Sequence, residues 1–84
     1  MTRIDKLYAS VRSNPGQLLA FRDFIALIEA FGFRHMRTKG SHRSYSHPAC
    51  PRVLVIQPEG KEAKRYQVRE FLDMLEEYKL DFKR

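Results

Sequence analysis

Three β-prone runs crowd the middle of this chain with almost nothing between them, and that spacing restricts the fold more than any other feature. Phe33 to Thr38 is the first run, Ser41 to His47 the second and Arg52 to Gln57 the third. Lys39-Gly40 separates the first two, and His47-Pro48-Ala49-Cys50-Pro51 separates the next two. Neighbours this close have no room for a crossover helix, so they pair as an antiparallel meander. The third run centres on Val53-Leu54-Val55-Ile56, a stretch suited to a pleated, half-buried surface. Proline cannot join a ladder interior, which puts Pro48 and Pro51 in a loop. Pro58-Glu59-Gly60 is expected to end the sheet.

Helical spacing brackets this centre. Ile4, Leu7, Tyr8 and Val11 mark one apolar face over residues 2–13. Thr2 with Asp5 resembles a capping box, with Asp in place of Glu or Gln. Asn14-Pro15-Gly16 stops that helix, and Gln17-Leu18-Leu19-Ala20 reads as an extended connector. A second helix runs from Phe21 to Phe31 with a broad stripe of Phe21, Phe24, Ile25, Leu27, Ile28 and Phe31, all read as core. Gly32 suits the left-handed position that closes a helix. The last helix, Tyr66 to Lys79, repeats Val68, Phe71, Leu72, Leu75 and Tyr78 at helical spacing. Tyr66 is expected to pack on the sheet. Gln67 either helps cap the helix, or it and Gln57 bond each other or contact RNA. The order α-α-β-β-β-α predicts an α+β fold, with helices on one face of a three-stranded antiparallel sheet. At 84 residues the expectation is a single domain over 1–84, a core at 21–80 preceded by the helix at 2–13.

The charge is unevenly placed. The formal net charge is +6, yet no Asp or Glu occurs from Ala30 to Pro58. That segment holds Arg34, Arg37, Lys39, Arg43 and Arg52 together with His35, His42 and His47. The remaining cations nearly balance the acids elsewhere. Positive charge clustered in this way favours a polyanion partner over a generic solvated surface. A hydrophobic content of 43% argues against disorder. One cysteine excludes an intrachain disulfide and fits a reducing compartment. No apolar run approaches a membrane span, and the first residues lack the apolar segment of a signal peptide. The expected location is cytoplasmic.

The centre of interest is Thr38-Lys39-Gly40-Ser41-His42-Arg43. Side chains alternate along a strand, so His42, Ser44 and Ser46 share one face and Ser41, Arg43 and Tyr45 the other. Tyr45 is the bulky member, which assigns its face to the helices and leaves His42 on the open side. In the first run Phe33, His35 and Arg37 share one parity and Arg34, Met36 and Thr38 the other. Which set flanks His42 depends on register. Like charges disfavour a protonated ring, and a neutral imidazole can take the proton from a ribose 2′-hydroxyl. Arg37, Lys39 or Arg43 would then stabilise charge growing on the adjacent phosphate. Gly40 allows the tight turn and Ser41 can donate a hydrogen bond. This route uses no metal and no cofactor. His47-x-x-Cys50 has a ligand-like spacing, but a single cysteine flanked by prolines is a poor zinc set. Ser41 as a covalent nucleophile lacks a local orienting acid.

These residues carry a family likeness. Gly32-Phe33, Lys39-Gly40-Ser41-His42, Tyr45, an apolar strand and a closing helix resemble the HicA family of bacterial toxins. A subgroup-like pattern adds Asn14-Pro15, Phe21-x-Asp23, His47-Pro48, Gln57 and Ala63-Lys64-x-Tyr66-Gln67-Val68-Arg69, and the likeness spans about residues 4–80. The resemblance implies an mRNA-cleaving toxin with a double-stranded-RNA-binding-like fold, restrained by a HicB-type antitoxin. It implies metal-independent activity, often coupled to translation, and it places the family's catalytic histidine at His42. Many members carry a second histidine just after the third strand, where this chain has Gln57-Pro58-Glu59. Members also often have a bulkier apolar residue at the place of Ser44.

Three readings follow. The first is an endoribonuclease toxin, with His42 as base or acid and Arg37, Lys39, Gly40, Ser41 and Arg43 holding RNA. The second is a non-catalytic basic RNA-binding module of the same fold. The third is a protein-interaction domain that uses its sheet face or strand edge.

Overall fold

The structure, a computed structural model, describes residues 3–81. The Thr2 cap expected at the start of the first helix lies outside them. Helix α1 spans Arg3–Ser13 and α2 spans Phe21–Ala30. Strands β1 (Arg34–Lys39), β2 (His42–Ser46) and β3 (Leu54–Ile56) form an antiparallel sheet in the order β1-β2-β3. A second, two-stranded ladder follows, β4 (Pro58–Glu59) with β5 (Glu62–Ala63), and α3 (Arg65–Glu77) closes the chain. The expected meander and α+β order are present.

Helix α2 forms because its apolar stripe is continuous, and it stops at Gly32 for a backbone reason. Gly32 has φ 92°. Its N–H bonds the Glu29 carbonyl at 3.0 Å, and the Phe33 N–H reaches the Ile28 carbonyl at 3.3 Å. These two bonds are the Schellman pattern, which satisfies carbonyls left over at a helix end and turns the chain sharply. The turn delivers Phe33 into the core and starts β1 one residue later.

Phe71 of α3 is the hub of that core. Its ring meets Phe24, Phe31 and Phe33 edge-to-face at centroid separations of 5.8, 5.6 and 5.8 Å. Tyr8 of α1 adds an edge contact to Phe31 at 4.9 Å. From the sheet, Tyr45, Leu54 and Ile56 are buried in the same cluster. Truncating an aromatic at such a hub costs about 3–5 kcal/mol, a large share of the roughly 5–15 kcal/mol that holds a domain together.

Two features of the chain after β3 were not foreseen. The three-stranded sheet ends at Ile56, as expected, but the residues from Pro58 onward form a separate β4–β5 ladder, turning at Gly60 with φ 66°. That ladder ties to the front of α2. Ala20 bridges Glu62, the Phe21 N–H bonds the Lys61 carbonyl at 2.9 Å, and the Ala63 N–H bonds the Leu19 carbonyl at 2.8 Å. Two-residue strands have no periodicity to read, and Pro58 argued against pairing. Second, Tyr66 does not pack on the sheet but is 63% exposed. Gln67, Val68 and Phe71 take the buried stripe of α3, which rotates Tyr66 outward.

Candidate active site

The hairpin that carries the site turns at Gly40-Ser41, one residue later than Lys39-Gly40. Gly40 has φ 61° and Ser41 keeps a negative φ, the signature of a type II′ turn, which suits the twist of a two-residue hairpin. Nothing lies within 4 Å of a Cβ built on Gly40. Backbone conformation, not crowding, therefore requires glycine there.

The register settles what flanks His42. Lys39 pairs with His42, Thr38 with Arg43, Arg37 with Ser44, His35 with Tyr45 and Arg34 with Ser46. Met36 is the extra residue of a bulge between His35 and Arg37, and it stands 58% exposed. Directly opposed residues share a face. His35 therefore joins Tyr45 on the helix side, while Arg37 joins Ser44 on the open side. The simple parity expected for the first run, with His35 and Arg37 together, is broken by that one residue. As a result Arg34, Arg37 and Lys39 all stand on the open face with His42. Val55 of β3, paired with Ser44, is the apolar neighbour on this face.

Burial agrees with the assignment for β2 and β3, where Tyr45, Leu54 and Ile56 are buried and His42 and Val55 exposed. All of β1 is exposed, so its faces follow from the register alone. The ion pairs formed among the described residues are Arg3 with Asp23 and Arg52 with Glu77, the latter at 3.2 Å. Neither involves the open face. Among the described residues, no cation of this face is paired with an acid, and clustered positive charge of this kind favours anions.

The three histidines have three different surroundings. The His35 Nε2 lies 2.8 Å from the Thr38 hydroxyl, and its ring is tilted on Tyr45 at 5.3 Å. His47 is buried, accepts the Ala49 N–H at Nδ1 over 3.0 Å and meets Phe33 edge-on at 5.1 Å. It shapes the loop before β3. Only His42, among the described residues, presents its ring to solvent without a protein partner. Cys50, in that same loop, is not an activated thiol. Burial pushes its pKa above the ordinary value, Arg52 opposes this and Glu77 adds to it.

The residues singled out by sequence therefore gather at two places. Arg37, Lys39 and His42 share the open face, with Gly40 and Ser41 at the hairpin tip. Arg43 points the other way, its guanidinium carbon 5.9 Å from the centroid of Phe21. Arg34 was not foreseen as part of the open face, because a bulge leaves no mark in the pattern of residue types. Gln67 proves structural. Its Oε1 accepts the Gln57 backbone N–H at 3.0 Å, which fixes the exit of β3 against the start of α3. Among the described residues, no helix is long and apolar enough to cross a membrane.

A helix-backed antiparallel sheet whose free face carries an unpartnered imidazole among unpaired cations defines a small basic α+β protein. The chain belongs to the family described as the HicA toxin of bacterial toxin-antitoxin, whose sequence model matches residues 21–76. The match runs from the first residue of α2 into the last turn of α3 and leaves α1 outside. No curated protein and no solved structure matches the chain.

Proposed function

We propose that this toxin-family protein is a metal-independent endoribonuclease that cleaves mRNA in the cytoplasm and is restrained by a HicB-type antitoxin. The observation that carries the reading is the placement of His42: exposed, unpartnered, directly across from Lys39 and two pairs along from Arg37 on the same face. His42 takes the proton of a ribose 2′-hydroxyl. The 2′-oxygen forms a bond to the adjacent phosphorus, the bond from phosphorus to the 5′-oxygen breaks, and the departing 5′-oxygen takes a proton from water. The products are a 2′,3′-cyclic phosphate and a 5′-hydroxyl. Lys39 and Arg37 stabilise the extra negative charge on the phosphoryl oxygens as the 2′-oxygen attacks.

The test is cleavage of a defined RNA, with chelator present, by the wild-type protein and by His42→Ala. General-base catalysis contributes about 10²–10⁴-fold, so the variant is expected to lose activity by that factor while melting at the same temperature. Equal cleavage by both proteins would overturn the assignment. A non-catalytic RNA-binding role is the second reading, favoured by Gln57-Pro58-Glu59, which places no second imidazole beyond β3. In that case the wild-type protein binds RNA and leaves it intact.

A further inference from the structure

On the helix side of the same hairpin tip lies an open cleft of about 610 Å³, bounded by the start of α2, the Gly40-Ser41 turn and the β4–β5 ladder. Its volume lies within the range of roughly 300–1,000 Å³ of ligand sites. Three cations line it, Arg22, Arg43 and Lys61, each from a different element, and no acid lines it. None of the three has an acidic partner among the described residues. Its apolar wall is the half-buried ring of Phe21, with the Arg43 guanidinium above it. An aromatic plane beside a guanidinium plane, within a ring of cations, is the combination that holds a stacked base and its phosphate.

We propose that this cleft binds the stretch of single-stranded RNA next to the phosphate held at His42. The inference rests on the RNA-cleaving reading above and extends it to residues that reading does not use: Phe21, Arg22 and Lys61. The connection is geometric. His42 and Arg43 are consecutive in β2 and project to opposite faces. The Gly40-Ser41 tip is therefore a ridge between two basic surfaces. A flexible single strand can cross such a ridge and engage both sides, whereas a stiff duplex cannot bend so sharply. The cleft thus selects unpaired RNA and positions the scissile phosphate by holding its neighbour.

The experiment uses the full chain carrying His42→Ala, so that RNA stays intact, and a fluorescein-labelled eight-nucleotide single-stranded RNA read by anisotropy between 50 and 200 mM salt. Adding Arg22→Gln and Lys61→Gln together is expected to weaken binding about tenfold or more. The log–log salt slope should become shallower by about 1.4, from about 0.7 per phosphate contact on single strands. Phe21→Leu keeps an apolar side chain against the core but removes the stacking plane, so it should weaken binding with the salt slope unchanged. Arg37→Gln serves as the reference for the open face. If Arg37→Gln weakens binding while the double variant and Phe21→Leu bind like their parent, the cleft proposal is overturned and the RNA reading stands. If the parent binds no RNA at all, both fall.

Discussion

Lys39 stands directly opposite His42 across the β1–β2 hairpin, on the face of the sheet turned away from the helices. The pair sets an imidazole that has no protein partner across the ladder from an exposed lysine. Removing a single preorganised charge donor from a reacting centre typically costs about 10²–10³-fold in rate. Lys39→Gln should therefore lower kcat on a labelled RNA by about a hundredfold, with Tm unchanged because the side chain is exposed and unpaired. Undiminished kcat would remove Lys39 from the chemistry.

Met36 is the extra residue of the β1 bulge, so deleting it should leave the pairs on both sides intact. The expected product is a folded protein with Lys39 still opposite His42 and Arg37 still opposite Ser44, seen as cross-strand NOEs. Deleting Thr38 instead keeps Lys39 in place but turns Arg37 toward the helices and brings Met36 opposite Ser44. That variant should bind RNA more weakly than the Met36 deletion. The opposite ranking would show that β1 chooses its register by some other means.

Gln67 is buried, and its side-chain oxygen satisfies the Gln57 backbone N–H. Gln67→Leu preserves bulk and removes the acceptor. Leaving a buried donor unpaired costs about 1–3 kcal/mol, and in a chain of this size each kcal/mol lowers Tm by about 4–8 °C. Gln67→Glu keeps an acceptor oxygen but buries a carboxylate, so it should outlast Gln67→Leu only at acid pH, where that group is neutral. Thermal melts of the two variants decide the point.

Lys79 occupies a left-handed conformation, φ 55°, just past the end of α3. The Leu80 N–H bonds the Leu75 carbonyl at 2.9 Å, so this helix closes in the same way as α2 but without glycine. A side chain in that region costs about 1–2 kcal/mol. Glycine relieves the cost and gives back part of the gain through a more flexible unfolded chain. Lys79→Gly should stabilise by a net amount below about 1 kcal/mol in urea titration. A destabilised variant would mean that Lys79 makes a contact that outweighs its strain.

Burial holds the Cys50 thiol pKa above its usual value, so less thiolate exists at neutral pH than for a free cysteine. The thiolate is the reactive form. Alkylation of Cys50 by iodoacetamide should be slower than that of free cysteine at pH 7.5 and should accelerate as pH rises toward the shifted pKa. A rate above that of free cysteine at pH 7.5 would contradict this.

Much of the fold was legible because its signals are periodic or local. The stripes of α2 and α3 repeat every three to four residues, the turn residues between strands are glycine and proline, and Tyr45 identifies the buried face of β2. His42 on the open face follows from that alternation alone. What stayed hidden depends on long-range pairing. The bulge at Met36 exists only relative to β2, so the gathering of Arg34, Arg37 and Lys39 could not be read from β1 by itself. The β4–β5 ladder is too short to show a pattern and owes its place to bonds with Leu19 and Phe21. Tyr66 was misplaced because its neighbour Gln67, a polar residue, fills the buried position for the sake of one backbone N–H.

An unfinished sheet margin invites another strand to extend it, within one molecule or between many. Along β1 that invitation is withdrawn: the kink at Met36 spoils the ladder, and the cations that line the strand repel a second copy. Of the two margins of the β1-β2-β3 sheet, the one beside β3 is therefore the better template for an added chain.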